Sequence, residues 1–323
     1  MHKIPVGVLG ASGYAGRELC GLIARHPRLE LVFASANGQR GNDIRIGQSR
    51  VTFVAAEDAP LSSAEIVFTA LPHGASAGWV ANARSNGARV VDLSADFRPG
   101  ATETRDTKAP YGLTELMRKS IPGADIVANP GCYPTAILLA IAPLLTEGWI
   151  VPGSTINVSA ASGVTGAGYS PRPDLLFAEV VEDFRAYSVE NEHRHLAEMR
   201  EVTKELGGLD NDILFTPHLL PVSRGILATI TVPVKEEADD PSSLWRQCYE
   251  GEPFIEIADD PPSLRDVVRR NVVRLSVTKA SNVRQPTLII ISAIDNLMKG
   301  AAGQALQNAN VLLGLHEPMG LPA

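Results

Sequence analysis

The sequence predicts an α/β protein, in which a domain with a doubly wound parallel sheet is followed by an α+β domain with a mainly antiparallel sheet. Up to about residue 130, short and almost wholly apolar runs alternate with helical patterns, which is typical of parallel strands buried on both faces. Beyond that point the β-rich runs become longer and often alternate apolar with polar residues, which is typical of an antiparallel sheet.

Five strands are predicted in the first domain, and helical patterns such as YAGRELCGLIARHP separate several of them. These strands are residues 6–10, 31–35, 65–71, 89–94 and 126–129. Because parallel strands need crossover connections, strands joined through helices favour a doubly wound sheet over hairpins.

The second domain is predicted to contain longer strands, with a hairpin around Ser223–Gly225. The predicted strands are residues 154–162, 213–222, 225–234, 272–280 and 287–295. A last helix, residues 296–315, carries an apolar stripe and is predicted to pack back on the first domain. Residues 1–131 and 296–323 therefore form one predicted domain, and residues 132–295 form the other.

Composition and charge narrow the class of protein. The 323 residues carry a net charge of −7 without any basic run, which argues against a general nucleic-acid binder. Three cysteines cannot all pair and show no zinc-ligand spacing, so we expect a reducing compartment and no metal site. No signal-peptide pattern opens the chain, and no apolar run reaches the ~18–20 residues of a membrane span. A cytoplasmic protein is expected.

A glycine cluster follows the first predicted strand in the stretch VGVLGASGYAGREL. Gly10, Gly13 and Gly16 form a G-x-x-G-x-x-G pattern at the head of a helix, a variant of the dinucleotide-binding fingerprint. Glycine lets the backbone approach a pyrophosphate, and the helix N-terminus offers it N–H groups. A plain turn is the alternative, but the strand–turn–helix context favours a cofactor site. The predicted contacts here also include Ala11, Ser12 and Tyr14.

The residues after the second strand indicate which dinucleotide is bound. An NAD site often has Asp or Glu there for the ribose 2′-hydroxyl, whereas this chain has Ser35, Asn37 and Arg40. Such a setting tolerates a 2′-phosphate, so NADP(H) is favoured over NAD(H). The remaining predicted cofactor contacts are Pro72, His73 and Asn296.

Cys132 lies in the stretch ANPGCYPTAILLAIAPL, where Pro130 and Gly131 break the chain before a buried helix. A cysteine at a helix N-terminus is favoured in its thiolate form by the helix dipole and by exposed N–H groups. Free cysteine is more often a buried apolar residue, which is the interpretation for Cys20 and Cys248. For Cys132 the local pattern leaves both interpretations open.

A thiolate nucleophile needs a partner for proton transfer. His193 and His195 flank Arg194 just before a predicted helix, which suggests an acid/base site that handles an anion. Three solvated residues at a helix start are the alternative. His73 and His218 are further candidates, although a hydrogen-bonded core position is the simpler interpretation for both.

A second glycine-rich loop, SAASGVTGAGYSPRP (159–173), follows a strand of the second domain. The backbone N–H groups around Ser162, Gly163 and Gly166 are suited to holding a phosphate or carboxylate, and a lid or a plain connection is the alternative. Arg98 and Arg224 supply cations for bidentate binding of such an anion. The other predicted substrate contacts are Asn129, Arg194 and His218.

Taken in order, the motifs resemble those of the N-acetyl-gamma-glutamyl-phosphate reductases, a family within the semialdehyde dehydrogenases. The motifs are GASGYAGREL, ALPHG, VVDLSADFR, YGLTEL, ANPGCYPTAILLAIAPL, SGVTGAG, FRAY with HRHLAEM, FTPHLLPVSRGI and DNLMKGAAGQALQN. They run from residue 10 to about residue 308, so the resemblance covers nearly the whole chain. Each motif alone is weak, but the ordered set is specific.

The resemblance implies a Rossmann-type cofactor domain, a catalytic and oligomerisation domain, and a homo-oligomer, either a dimer or a tetramer. It implies NADPH-dependent reductive dephosphorylation of an acyl phosphate in arginine biosynthesis. Cys132 matches the family's nucleophile, and the His-Arg-His segment supplies the acid/base histidine. The choice between His193 and His195 stays open, with a slight preference for His195.

Two alternatives remain at this stage. One is the same chemistry on a carrier-protein-linked aminoadipyl phosphate in lysine biosynthesis, which would differ around residues 163–192. The other, from a different class, is a non-catalytic NADP(H)-binding regulator. The presence of Cys132 together with His193 and His195 argues against the regulator.

Overall fold

A computed structural model describes residues 2–46, 49–102, 104, 107–208, 211–236 and 239–323. Its strands are β1 (Ile4–Leu9), β2 (Leu29–Ser35), β3 (Asp43–Ile46), β4 (Ser49–Thr52), β5 (Ile66–Thr69), β6 (Arg89–Asp92), β7 (Ile126–Ala128), β8 (Thr155–Gly163), β9 (Arg185–Ala186), β10 (Asp212–Leu220), β11 (Ile226–Pro233), β12 (Ile255–Ile257), β13 (Val273–Lys279) and β14 (Thr287–Ile294). Its helices are α1 (Tyr14–Arg25), α2 (Ala77–Ser85), α3 (Thr114–Met117), α4 (Cys132–Thr146), α5 (Phe177–Val180), α6 (His195–Gly207), α7 (Ser242–Cys248) and α8 (Gly303–Leu312).

The chain forms two units, the first comprising Met1–Gly131 with Ala301–Pro322 and the second Cys132–Gly300. The first unit contains a five-stranded sheet in the order β2-β1-β5-β6-β7, and all its neighbouring strands are parallel. Every residue of β5 and β7 is buried, as expected where a parallel sheet is covered on both faces. The predicted parallel α/β fold is confirmed.

The antiparallel pair formed by β3 and β4 is not predicted by the sequence. Each strand has four residues, and the sequences DIRI and SRVT both contain arginine. Strands this short and polar lack the apolar run that reveals a buried strand, because little of their stability comes from the core. The residues that join them, 47–48, lie outside the described part of the chain.

The second unit contains a seven-stranded sheet in the order β12-β13-β14-β11-β8-β10-β9. The pairs β12–β13 and β8–β10 are parallel, and the other four pairs are antiparallel. The predicted mainly antiparallel sheet is therefore confirmed. One face of β8 is buried at alternate positions, such as Ile156 and Val158, where the sheet is covered by helices.

The hairpin predicted around Ser223–Gly225 is wrong, because β8 lies between β10 and β11. Neighbouring strands are ~4.8 Å apart, so skipping one strand requires ~10 Å, which the five connecting residues easily span. The connection instead bonds to the end of β8, where the N–H of Gly163 donates to the carbonyl of Gly225 at 2.9 Å. Local turn residues cannot reveal a third strand supplied from far along the chain.

Helix α4 is buried on every side from Tyr133 to Leu145, which explains its almost wholly apolar sequence. Pro143 lies inside it and has no N–H to donate to the carbonyl of Leu139. The hydroxyl of Tyr249 donates to that carbonyl at 2.6 Å, and the indole N–H of Trp245 donates to the next carbonyl, that of Ala140, at 2.8 Å. The hydroxyl of Tyr249, the residue that follows α7, therefore replaces the hydrogen bond to Leu139 that Pro143 cannot make.

Tyr249→Phe is expected to lower the free energy of unfolding by about 1–2 kcal/mol, because it leaves the buried carbonyl of Leu139 without this donor. Urea denaturation followed by circular dichroism measures the change. Tyr169→Phe, at a half-exposed position outside α4 and α7, is the control and is expected to change stability less. Equal midpoints for the wild type and Tyr249→Phe would contradict this role.

The helix predicted at 296–315 is divided into a π-helical turn, Met298–Ala302, and α8. Several amide side chains of α8 are buried because they bind backbone and side-chain groups of the first unit. Asn308 donates to the carbonyl of Gly112 at 2.8 Å and accepts from the hydroxyl of Thr114 at 2.8 Å. None of the described helices has both the length and the apolar content that a bilayer crossing requires.

Candidate active site

A cavity of about 270 Å³ in the second unit contains the residues predicted to carry the chemistry. Its lining residues are Cys132, Tyr133, Ser162, Gly163, Gly166, Ala167, Arg172, Asp174, Leu175, Arg185, Tyr187, His193, Arg194, His195 and Leu219. The predicted nucleophile, both predicted acid/base histidines and the second glycine-rich loop are therefore brought together.

Cys132 is the first residue of α4, and its side chain is partly accessible. Strand β7 ends at Ala128, and Pro130 and Gly131 separate it from the helix. The first N–H groups of a helix have no acceptor within it, so the thiol lies where backbone donors and the positive end of the dipole are found. This setting suits an anionic sulfur and an anion bound beside it.

His193 and His195 lie edge to face, with their ring centroids 4.9 Å apart. His195 is buried at the start of α6, and its backbone N–H donates to Nδ1 of His193 at 3.1 Å. A neutral His193 ring therefore carries its proton on Nε2. Burial and, secondly, the charge of Arg194 lower the pKa of His193 to about 4, so the ring is neutral near pH 7.

The shifted pKa of His193 predicts a pH dependence of stability. In the unfolded chain this group binds a proton near pH 6.5, whereas in the folded chain it does so only near pH 4. Between these values the unfolded state holds more protons, so the group costs no stability above pH 6.5 and an increasing amount as pH falls towards 4.

The stability advantage of the wild type over His193→Gln is therefore expected to shrink as pH falls through that window. Urea denaturation midpoints of both proteins at matched pH values measure it. A difference that stays constant with pH would contradict the assignment.

Two tyrosines, neither of them predicted, complete the cavity wall beside the histidines. The Tyr133 ring meets His193 edge to face at 5.5 Å, and its hydroxyl lies 3.1 Å from that of Tyr187. Burial raises the pKa of both phenols, so they stay protonated and able to donate hydrogen bonds at neutral pH. Both lie in the quoted motifs, Tyr133 directly after Cys132 and Tyr187 in FRAY, so a signal for them was present.

Three arginines line the cavity and make it suitable for an anion, but they are engaged differently. Arg172 forms a bidentate pair with Asp174, at 3.0 and 2.6 Å. Arg185 donates to the carbonyls of Asp174 and Glu179, and so ties the loop that carries them. Among the described residues, no hydrogen bond or ion pair engages the guanidinium of Arg194, which leaves it available to a ligand.

The chain is similar to two family models and to named reductases. Residues 132–296 match a family model described as semialdehyde dehydrogenase, dimerisation domain, and residues 5–124 match one described as semialdehyde dehydrogenase, NAD binding domain. An N-acetyl-gamma-glutamyl-phosphate reductase of Symbiobacterium thermophilum is 39% identical over 98% of this chain and 97% of its own. That of Magnetococcus marinus is 42% identical over 99% of this chain and 97% of its own. The chain belongs to the N-acetyl-gamma-glutamyl-phosphate reductase family.

Solved structures of proteins with lower sequence identity to this chain show the same fold. The aspartate semialdehyde dehydrogenase II of Vibrio cholerae, complexed with ASA, superposes with a TM-score of 0.78 at 20% identity. The match covers 97% of this chain and 99% of that one. The two-unit architecture is therefore that of the semialdehyde dehydrogenases, oxidoreductases that use a nicotinamide cofactor.

The first glycine cluster has the shape of a dinucleotide site. Gly10 has a φ of +80°, and a Cβ there would lie 2.4 Å from the carbonyl oxygen of Ala70. A Cβ on Gly16 would lie 2.4 Å from the oxygen of Gly10, whereas one on Gly13 would meet nothing closer than 3.7 Å. Helix α1 begins at Tyr14, and no side chain caps it. The turn thus leaves open backbone N–H groups that fit a pyrophosphate.

Other predicted cofactor residues lie near the carboxyl ends of strands in the same unit. Ser35 ends β2 and is buried, while its carbonyl accepts from the N–H of Ala11 at 2.8 Å, and Arg40 is exposed. His73 follows Pro72, and its Nδ1 lies 2.9 Å from Oδ1 of the buried Asp96. Asp96, which the sequence did not single out, thus holds this loop in place.

Asn296, predicted to contact the cofactor, lies in the second unit and serves the second glycine-rich loop. Its amide donates to the hydroxyl of Thr165 at 2.9 Å, and its oxygen accepts from the N–H of Gly225 at 2.8 Å. In that loop a Cβ on Gly166 would lie 2.7 Å from Oγ of Ser162, so a side chain at this position would displace the Ser162 hydroxyl. Asn296 therefore supports the cavity wall.

Four predicted substrate residues do not line the cavity. Arg224 is paired with Asp295 at 3.3 Å, and His218 is stacked on Phe184 at 5.1 Å. In the first unit Arg98 donates to the carbonyls of Leu93 and Asn129. Asn129 is itself buried, and its oxygen accepts from Asn308 at 3.0 Å. Sequence position alone did not show that these side chains hold the fold together.

Proposed function

We propose that this protein reduces N-acetyl-gamma-glutamyl phosphate to N-acetylglutamate 5-semialdehyde with NADPH, releasing phosphate, as a step of arginine biosynthesis. The observation that carries the proposal is the placement of Cys132 at the N-terminus of α4 in one cavity with His193, His195 and Arg194. The names of the relatives support the same substrate. A nucleophile, proton-transfer groups and a free cation are what an acyl phosphate requires.

The first half of the reaction is carried by Cys132. Its thiolate attacks the acyl carbon, the C–S bond forms, and the bond from carbon to the phosphate oxygen breaks, which gives a thioester and inorganic phosphate. The backbone N–H groups at the start of α4 stabilise the oxyanion, an effect worth about 3–4 kcal/mol per donor. Arg194 is placed to hold the phosphate, because its guanidinium is free of other ion pairs within the described residues.

We assign different roles to the two histidines. Nδ1 of His193 accepts the backbone N–H of His195, so neutral His193 offers the proton on Nε2 and acts as a hydrogen-bond donor to the oxyanion. Nδ1 of His193 thus accepts a backbone N–H and its Nε2 carries the proton, so we assign proton exchange with the thiol to His195, which lines the same cavity as Cys132. Tyr133 and Tyr187 hold the His193 ring through edge and tilted contacts.

The glycine turn of Gly10, Gly13 and Gly16 would hold the cofactor pyrophosphate, and Pro72 and His73 would lie beside it. The lack of an acidic residue after β2, together with Ser35 and Arg40, favours the 2′-phosphate of NADPH. When bound, the nicotinamide supplies the hydride that reduces the thioester carbon. Cys132 then leaves as thiolate, and the semialdehyde is released.

The reverse reaction tests this function. Purified protein receives N-acetylglutamate 5-semialdehyde, phosphate and NADP⁺, and NADPH formation is followed by absorbance. Phosphate-dependent NADPH formation is expected, with a slower rate for NAD⁺ and for an aminoadipate semialdehyde derivative. No phosphate-dependent signal, or a faster rate with the aminoadipate derivative, would overturn the proposal.

We also propose that the protein is a homo-oligomer that works in the cytoplasm. Large apolar side chains are exposed on the second unit, including Leu176, Phe177 and Val189, and Phe177 is 82% exposed. Exposed apolar side chains are typical of interaction surfaces where they form a contiguous patch, and the family model for this unit is named for dimerisation. Size-exclusion chromatography with light scattering is expected to give a dimer or tetramer, and a monomer at micromolar concentration would contradict it.

A further inference from the structure

A π-helical turn at Met298–Ala302 lies against the nucleophilic cysteine. A Cβ built on Gly300 would lie 2.8 Å from Cβ of Cys132 and 3.3 Å from its Cα. The same atom would lie 3.2 Å from Cδ1 of Ile294, on the last residue of β14. The backbone of Gly300 is therefore in direct contact with the first residue of α4, and there is no room for a side chain between them.

The turn is held in place by its own backbone and by a buried carboxylate. The N–H of Gly300 donates to the carbonyl of Asp295 at 3.0 Å, which closes a π-type ring. The Asp295 side chain is fully buried. Its donors are the backbone N–H groups of Leu297, Met298 and Arg269, at 2.8, 3.1 and 2.7 Å, and the guanidinium of Arg224, at 3.3 Å. The turn cannot move away from Cys132 without breaking several of these bonds.

We propose that Gly300 is a positioning residue for the reaction: its missing side chain lets the π-helical turn pack on Cys132 and fixes where the thiol sits in the cavity. π-helical turns are frequent at functional sites, since the extra residue redirects one part of a helix. The role assigned to the thiol rests on the proposed function. The contact that positions it rests on the geometry alone.

The distances between Gly300 and Cys132 determine how much a side chain at position 300 would lower the rate. Carbon atoms in contact are ~3.5–4.0 Å apart, so a methyl group on Gly300 would have to push Cys132 and the turn apart by about 1 Å. A displacement of this size at a reacting group lowers the rate on the order of 10²-fold. The groups that bind the substrate, such as Arg194, lie elsewhere in the cavity and keep their places.

Gly300→Ala is therefore expected to lower kcat about 10²-fold while KM stays close to that of the wild type. The matched control is Gly207→Ala in α6, which packs on the other end of α4. A Cβ on Gly207 would lie 3.1 Å from Cδ2 of Leu145, a side-chain atom that can move, so crowding of α4 is tested without touching Cys132. This control is expected to keep the wild-type kcat.

Alkylation of Cys132 can be measured without catalytic turnover. It therefore distinguishes a change in the position of the thiol from a general loss of structure. The rate at which iodoacetamide alkylates Cys132, followed by peptide mass spectrometry against pH, reports how well the start of α4 supports the thiolate. In Gly300→Ala the profile is expected to shift to higher pH, and in Gly207→Ala it is expected to stay that of the wild type.

Asp295→Asn provides a second variant, because it keeps the size of the side chain and weakens the bonds that hold the turn. It is expected to change kcat and the alkylation profile in the same direction as Gly300→Ala, and it carries the test if Gly300→Ala does not fold by circular dichroism. Wild-type kcat and profile in the folded variants, or a lower kcat with an unchanged profile, would overturn the proposal. An inactive wild type would refute the proposed function, and the alkylation profiles would still decide the positioning.

Discussion

Cys132→Ser is expected to abolish the reaction, lowering kcat by at least ~10³-fold, the scale on which loss of a covalent nucleophile acts. The serine hydroxyl has nearly the same size, so it fits at the start of α4 and leaves binding groups such as Arg194 in place. An alcohol is far less ionised than a thiol and leaves far less readily, so neither formation nor reduction of an acyl-enzyme would proceed. KM for the semialdehyde is expected to change little.

The other two cysteines provide matched controls for this result. Cys248 ends α7 and is exposed outside the cavity, so Cys248→Ser is expected to keep wild-type activity. Cys20 is buried in α1, and burial raises the pKa of its thiol to about 12, so it is expected to resist alkylation. Substantial activity in Cys132→Ser, or a comparable loss in Cys248→Ser, would show that another group is the nucleophile.

His195→Gln is expected to lower kcat/KM by about 10²–10⁴-fold, the contribution of a positioned acid/base group. His193→Gln is expected to lose less, because glutamine keeps an N–H donor and can still accept the N–H of residue 195 through its oxygen. The expectation that the two losses differ comes from the single bond that fixes the His193 tautomer. Steady-state rates and the acid limb of the pH–rate profile measure both.

His316→Gln, at an exposed position in the first unit, is the control for replacing a histidine by glutamine. It is expected to keep the wild-type kcat/KM. A larger loss in His193→Gln than in His195→Gln would reverse the assignment of base and donor. An acid limb that persists unchanged in His195→Gln would also exclude this residue as the base.

The parts of the fold that depend on local pattern could be predicted from the sequence. The parallel strands of the first unit are apolar runs joined through helices, and Gly10 and Gly16 lie where conformation or close contact requires glycine. The order of the strands in the sheet of the second unit could not be predicted from local pattern. The residues Pro221 to Gly225 look like a hairpin, but β8 is inserted between their flanking strands by pairing that is remote in sequence.

For the site, the sequence predicted the residues that carry reactive groups and missed those that hold them. Cys132 and the two histidines could be predicted as catalytic residues because their chemistry is visible in their side chains, and the structure places them in one cavity. Gly300 and Tyr187 act through contact, which appears only when β14 and the loop before α6 are folded against α4. The cations Arg98 and Arg224 stay predicted substrate contacts, but in this structure they bond to carbonyls and to Asp295 and do not line the cavity.

The central claim is that the reaction passes through a thioester on Cys132, and a phosphate-free burst tests it most directly. The protein is mixed with N-acetylglutamate 5-semialdehyde and NADP⁺ without phosphate, NADPH is followed by stopped flow, and the quenched protein is analysed by peptide mass spectrometry. A burst of NADPH equal to the amount of enzyme, with the N-acetylglutamyl group on the peptide containing Cys132, is the predicted result. Continuous turnover without phosphate, or a burst with no acyl group on Cys132, would contradict it.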